Sequence, residues 1–262
     1  MPVEFERKKP FVVSIANGKG GVGKTTTALA IGSILARRGL KVLLIDLDPQ
    51  GNLTLSLGLK PHRLPPPSTD MPTAGTLFAK DSYTIRNENL DLVFARSLII
   101  DKDFQIRVNT ADDLFFLGQD LSILRTLPYD YVFIDCPPSI GKIIANTMVT
   151  SDFLIIPSTA EYFSASALKE MMGLIGIVRK LGNIAIPYRI VITLFEKRNS
   201  GHESFRDQLR STYGADVFET IIEADIALRQ AAILGFPRES SPGVEQYRRL
   251  VDELMEAIQQ LQ

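Results

Sequence analysis

Cysteine is almost missing from this chain of 262 residues: Cys136 stands alone. One thiol cannot build a disulfide framework, nor a cysteine-held zinc or iron–sulfur site within one chain, so a reducing, cytoplasmic location is expected. Histidine is nearly as scarce, and His62 and His202 are too few and too scattered for a metal centre. Charge of one sign is not in excess either. The formal net charge of -1 excludes a globally basic nucleic-acid binder and leaves any such activity to a local patch. No apolar run reaches transmembrane length. The opening residues MPVEFERKKP have no apolar stretch behind their charges, so no signal peptide is expected.

What remains is an ordinary globular composition, 45% hydrophobic and 23% charged, with ample length for a sizeable core. Short β-branched apolar runs alternate with helical patterns. Strands are expected at 11–16, 42–46, 131–135, 153–157, 189–193 and 217–222. Helices are expected at Thr25 to Arg38, closed by Gly39, and near 112–127, 140–150, 164–181 and 203–213. Continuous apolar strands separated by helices imply an α/β fold, with a mostly parallel central sheet and helices on both faces. Residues 59–79, with Pro65, Pro66, Pro67, Pro72 and Gly75, read as a proline-rich surface excursion. No second hydrophobic core is evident, so a single domain over residues 1–262 is preferred to two domains joined there by a linker.

The chemistry concentrates in NGKGGVGKTTT, residues 17–27. Gly18 to Thr25 satisfies G-x-x-x-x-G-K-[ST], after an expected strand and before an expected helix. Glycines let backbone N–H groups turn inward around phosphate oxygens, and the helix N-terminus favours negative charge. The nucleotide-binding set is therefore Gly18, Lys19, Gly20, Gly21, Val22, Gly23, Lys24, Thr25 and Thr26. Lys24 supplies a cation for the β- and γ-phosphates, and Thr25 a hydroxyl for Mg²⁺. Asp135 ends the strand YVFID, where an acid can hold Mg²⁺ through water; alone it would equally be an exposed strand-end aspartate. In VLLIDLDPQGN, Asp46 and Asp48 lie two apart and in extended chain would point the same way. One could order Mg²⁺ and its waters while the other orients the attacking water. A turn-forming Asp-Pro with solvated acids is the plainer alternative. A phosphate loop needs one lysine, yet Lys19 is a second.

KGGVGKTTT, DLDPQGN and DCPPS, with IPSTAEYF at 156–163 and SPGVEQYRRL at 241–250, resemble the deviant Walker A ATPases, and within them the ParA/Soj-like partition proteins. The resemblance runs from about residue 10 to the C-terminus. It implies an ATP hydrolase with ATP and Mg²⁺ as cofactors and an ATP-bound homodimer with nucleotides between the subunits. Lys19 then matches the signature lysine that reaches the partner's phosphates, like an arginine finger in trans. Lys24 acts in cis, Asp48 matches the carboxylate linked to the hydrolytic water, and Asp46 and Asp135 match positions near the metal. Gly20 lies where subunits approach, so a side chain there should obstruct dimerisation.

The resemblance further implies that the dimer binds DNA without sequence preference, in the cytoplasm on the nucleoid. A partner, ParB-like or a cargo adaptor, stimulates hydrolysis, and the outcome is partition or positioning of a DNA or protein cargo. Lys197, Arg198 and Arg229 are the DNA candidates, with Arg206, Arg210, Arg248 and Arg249 behind them. The chain departs from the family at Glu223 to Arg229, where basic positions are lost and the proline near the adenine becomes Glu223. That departure favours a second reading, a dimerisation switch that regulates or positions a protein complex without DNA. The C-terminal stretch from Leu250 carries Asp252, Glu253 and Glu256 on its polar face, which reads as a core-packed helix and not a membrane anchor. An iron-protein relative would need two cysteines per subunit.

Overall fold

The computed structural model describes residues 9–58, 83–84, 89–94, 108–115, 122–161, 163–228, 230 and 241–261. Among these residues the centre is a sheet of eight strands: β1 (Phe11–Ile15), β2 (Val42–Asp46), β3 (Tyr83–Thr84), β4 (Leu90–Phe94), β5 (Tyr131–Asp135), β6 (Phe153–Thr159), β7 (Tyr188–Phe195) and β8 (Val217–Glu223). They run in the order β3-β4-β2-β5-β1-β6-β7-β8. Seven are mutually parallel, and the two-residue β3 pairs antiparallel with β4 at the edge. Among the described residues the α-helices are α1 (Lys24–Arg37), α2 (Asn52–Ser56), α3 (Lys142–Thr150), α4 (Ser164–Gly182), α5 (Ser200–Tyr213) and α6 (Pro242–Gln259).

The strands are apolar on both faces because both are covered. Val13, Ile15, Val42 and Leu44 pack with α1 and α6, while Val12, Leu43, Ile45 and Val132 pack with α3, α4 and α5. Strand side chains alternate faces, so consecutive residues serve opposite layers. Helix α6 buries Leu250, Val251, Leu254 and Ile258, and Tyr247 donates or accepts a hydrogen bond with Thr27 of α1 at 3.0 Å. Its acidic face is employed: Glu253 accepts the backbone N–H groups of Glu219 and Thr220 on β8, and Asp252 pairs with Arg38. Among the described residues no helix is long and apolar enough to cross a membrane.

The expected helix near 112–127 is not seen in the described parts of that stretch, residues 112–115 and 122–127. Its described parts are short 3-10 turns at Asp112–Leu114 and Ile123–Thr126. The Asp113 carboxylate accepts the N–H groups of Asn109 and Thr110, a local turn that competes with helix. The proline-rich stretch 59–79 lies outside the described residues.

Parallel pairing aligns the strand ends. Ile15 and Asp46 both stand opposite Asp135, β5 lying between β1 and β2, while Thr159 closes β6 on the other side of β1. The C-terminal edge of the sheet, where open α/β sheets take their ligands, is thus lined by the end of β1 and its loop, two aspartates and a threonine.

Candidate functional site

The loop from β1 to α1 is shaped by its glycines and pinned by neighbours. Gly21 and Gly23 have φ of 72° and 86°, left-handed values that a side chain would strain. Gly23 caps α1, whose first turn holds no side-chain cap and no acid, so its N–H groups and dipole are free to meet an anion. Buried Asn17 donates Nδ2 to the Pro157 carbonyl at 2.7 Å and accepts the Lys19 N–H at 2.9 Å. Thr193 of β7 donates to the Val22 carbonyl at 2.8 Å. Sequence reasoning gave Asn17 and Thr193 no role. The only local signal was Asn17's place at the strand end.

The two lysines diverge. Lys24 turns inward, 6% exposed, and its Nζ donates to the Lys19 carbonyl at 3.0 Å. Burial pulls its pKa down, against the opposing effect of the Asp135 and Asp48 carboxylates. Lys19 reaches the other way, to the β6–α4 junction. Its Nζ lies 2.6 Å from Glu161 Oε2, 3.1 Å from Ser164 Oγ and 3.2 Å from Thr159 Oγ1.

The three acids differ in what they have left to give. Asp135 accepts from Thr25 Oγ1 at 2.7 Å through Oδ2, while its buried Oδ1 has no partner among the described residues. Burial, followed by the charge of Asp46, raises its pKa well above the ordinary carboxylate value. Asp46 has both oxygens engaged: Oδ2 by the Thr54 N–H and Oγ1 at 2.9 and 2.7 Å, and Oδ1 by the Asp48 N–H at 3.2 Å. Burial lifts its pKa to about 6 in spite of those bonds. It ties the start of α2 to the end of β2, a pairing eight residues apart that periodicity does not reveal.

The expectation that Asp46 and Asp48 share an extended chain is corrected. β2 closes at Asp46, and Asp48 stands in a turn, its Oδ1 accepting the Gln50 N–H at 2.9 Å. Asp48 is nonetheless buried at the same strand edge. No group of three or more His, Cys, Asp or Glu able to hold a metal gathers among the described residues. The open Asp135 oxygen beside the Thr25 hydroxyl fits instead the sparse protein ligation of Mg²⁺, which keeps most of its waters.

The basic candidates are largely paired. Lys197 meets Glu223 at 2.6 Å, Arg210 meets Glu219 at 2.9 Å, Arg206 meets Asp207, and Arg248 and Arg249 both meet Glu245. Arg198 is exposed, and no described residue pairs with it. Arg229 lies outside the described residues. Glu223 is further held by Gln246, which donates to its carboxylate at 2.8 Å and accepts its N–H at 2.9 Å.

A family model described as an AAA domain matches residues 11–187. The chromosome-partitioning ATPase Soj of Thermus thermophilus is 31% identical over 260 residues, covering 97% of this chain and 99% of that protein. Among solved structures, a candidate plasmid partition protein of Borrelia burgdorferi B31 bound to AMPPNP matches with TM-score 0.73 at 26% identity, over 95% of this chain and 100% of that one. Cobyrinic acid a,c-diamide synthase of Mycobacterium smegmatis, with bound ADP and magnesium, matches with TM-score 0.76 at 26% identity, over 95% and 96%.

Proposed function

The chain belongs to the ParA/Soj-like ATPases of the ParA/MinD family, and on that premise we propose that it is a Mg²⁺-dependent ATP hydrolase completed by dimerisation. The observation that carries this reading is the divergence of the two lysines. Lys24 is buried beneath the loop against the Lys19 carbonyl, while Lys19 extends its amine to Glu161, Ser164 and Thr159 at the β6–α4 junction.

ATP and magnesium are supported by the AMPPNP, ADP and magnesium in the two similar structures. Backbone N–H groups of the loop and of α1 would bind the phosphates, and Lys24 would neutralise their charge in cis. Thr25 and Asp135 would hold Mg²⁺, Asp135 through water and its open Oδ1, with Asp46 supporting the turn beside it. When bound, the ion neutralises charge developing on the transferring group. Asp48 would orient the attacking water. Lys19 would act on the partner's nucleotide, where a cation aimed at transition-state charge is most effective once water is excluded.

The ATP-bound dimer would bind DNA without sequence preference, and a partner protein, ParB-like or a cargo adaptor, would stimulate hydrolysis and release it. The work done would be partition or positioning of a DNA or protein cargo, in the cytoplasm on the nucleoid. Exposed ion pairs such as Lys197–Glu223 are worth only about 0.2–1 kcal/mol, so DNA phosphates can displace the acid. The same pairs favour the second reading, a dimerisation switch that acts on a protein complex without DNA. DNA binding titrated against salt with ATP, ADP and a non-hydrolysable analogue separates the two. Binding only in the ATP forms, falling steeply with salt, is expected. Its absence at low salt overturns the DNA reading.

A further inference from the structure

Lys19 is held by its own subunit. Its amine sits in a cradle of one carboxylate and two hydroxyls, and the cradle is internally bonded, Thr159 Oγ1 and Ser164 Oγ lying 2.7 Å apart. Glu161 is fixed at the mouth of α4, where the Ser164 N–H donates to its carbonyl at 2.8 Å. Its carboxyl is held below the ordinary glutamate range, first by the hydrogen bond from Lys19. The backbone end of Lys19 is held as well, by Asn17 Oδ1, and its carbonyl is the partner of Lys24 Nζ. Residue 19 therefore joins the cis lysine to the cradle.

We propose that Glu161 is a positioning residue that latches Lys19 in cis and so sets the threshold for dimer assembly. The inference rests on the reading that Lys19 acts in trans, and it adds a competitor for that action. Phosphates that draw Lys24 from the Lys19 carbonyl loosen the loop at the residue whose side chain is latched. Lys19 then exchanges Glu161 for the partner's nucleotide. Each subunit must open its latch before a dimer closes, so the latch disfavours assembly by its own stability. The pair is part-exposed, Lys19 25% and Glu161 55%, so the latch is weak enough for a nucleotide to open.

The test compares wild type with Glu161→Gln and the conservative Glu161→Asp. The exposed position makes both compatible with folding. In the nucleotide-free protein, labelling of Lys19 by an amine-reactive anhydride, read by mass spectrometry, should be about 1.4- to fivefold faster in Glu161→Gln and intermediate in Glu161→Asp. With ATP and Mg²⁺, the protein concentration giving half-maximal turnover should fall by about the square of that factor in Glu161→Gln, since each dimer opens two latches, with the plateau unchanged. A merely structural role would lower the plateau or leave the half-maximal concentration where it was. Unchanged labelling, or assembly no easier than wild type, overturns the latch. Lys19→Gln keeps the two failures apart. If it hydrolyses ATP normally, the trans-lysine reading fails. If it is inactive while Glu161→Gln assembles no better, only the latch fails.

Discussion

Thr25 and Asp135 are joined across the start of α1 and the end of β5, the hydroxyl donating to Oδ2 at 2.7 Å and leaving Oδ1 buried with no described partner. A buried carboxylate beside another acid, Asp46, is costly in isolation, and its raised pKa expresses that cost. The arrangement fits a site completed by a cation.

Asp135→Asn should therefore separate stability from function. The amide still accepts from Thr25 but cannot ionise, so the nucleotide-free protein should melt no lower than wild type. The gain in ATP affinity on adding Mg²⁺, measured by calorimetry with and without EDTA, should drop by about 10–100-fold. An undiminished Mg²⁺ effect removes Asp135 from the metal site.

Gly20 offers a cleaner separation of folding from dimerisation. A Cβ built there would meet nothing closer than Pro138 Cβ at 3.9 Å, so the subunit itself has room. Gly20→Val should fold and bind ATP as a monomer, yet show no ATP-dependent increase in mass by light scattering. ATP-dependent dimers of normal affinity would mean that residue 20 is not between subunits.

Asp113 provides a stability signal far from the nucleotide. Lys142 Nζ lies 2.6 Å from its carboxylate and, with the N–H groups of Asn109 and Thr110, holds its pKa below the ordinary value. A depressed carboxyl pKa gives stability that is complete above the unfolded value of about 3.9 and is lost as pH falls through the folded one. Urea midpoints of wild type and Asp113→Asn should thus differ at pH 6 and converge as pH drops below about 4. Parallel curves would assign the effect to something other than ionisation.

How far these relationships were legible in the sequence depended on their span. The phosphate loop was readable because its chemistry is local: glycines, lysine and hydroxyl within nine residues, between an apolar strand and a helix. β2 and β5 were readable because burial on both faces makes VLLID and YVFID continuously apolar. β4, LDLVF, went unread because Asp91 interrupts the apolar run. Its carboxylate is employed by Tyr129 OH at 2.7 Å, from 38 residues away. The end of β2 at Asp46 was legible, but the bonds that turn the chain after it were not: Asp46 Oδ1 accepts the Asp48 N–H, and Asp48 Oδ1 accepts the Gln50 N–H. The Lys19–Glu161 pair spans 142 residues, and only the fold brings it together.

The central claim is that the two lysines serve different nucleotides. Two inactive variants test it together. Lys19→Gln keeps Asp48 but offers its partner no lysine, whereas Asp48→Ala offers Lys19 but cannot use its own water. In a mixed dimer one site regains both groups. Equal mixing should give mixed dimers in about half of the population, each with one complete site, and so about a quarter of wild-type turnover from two inactive proteins. If the mixture stays as inactive as its components while mixed dimers are seen to form, Lys19 does not act across the interface.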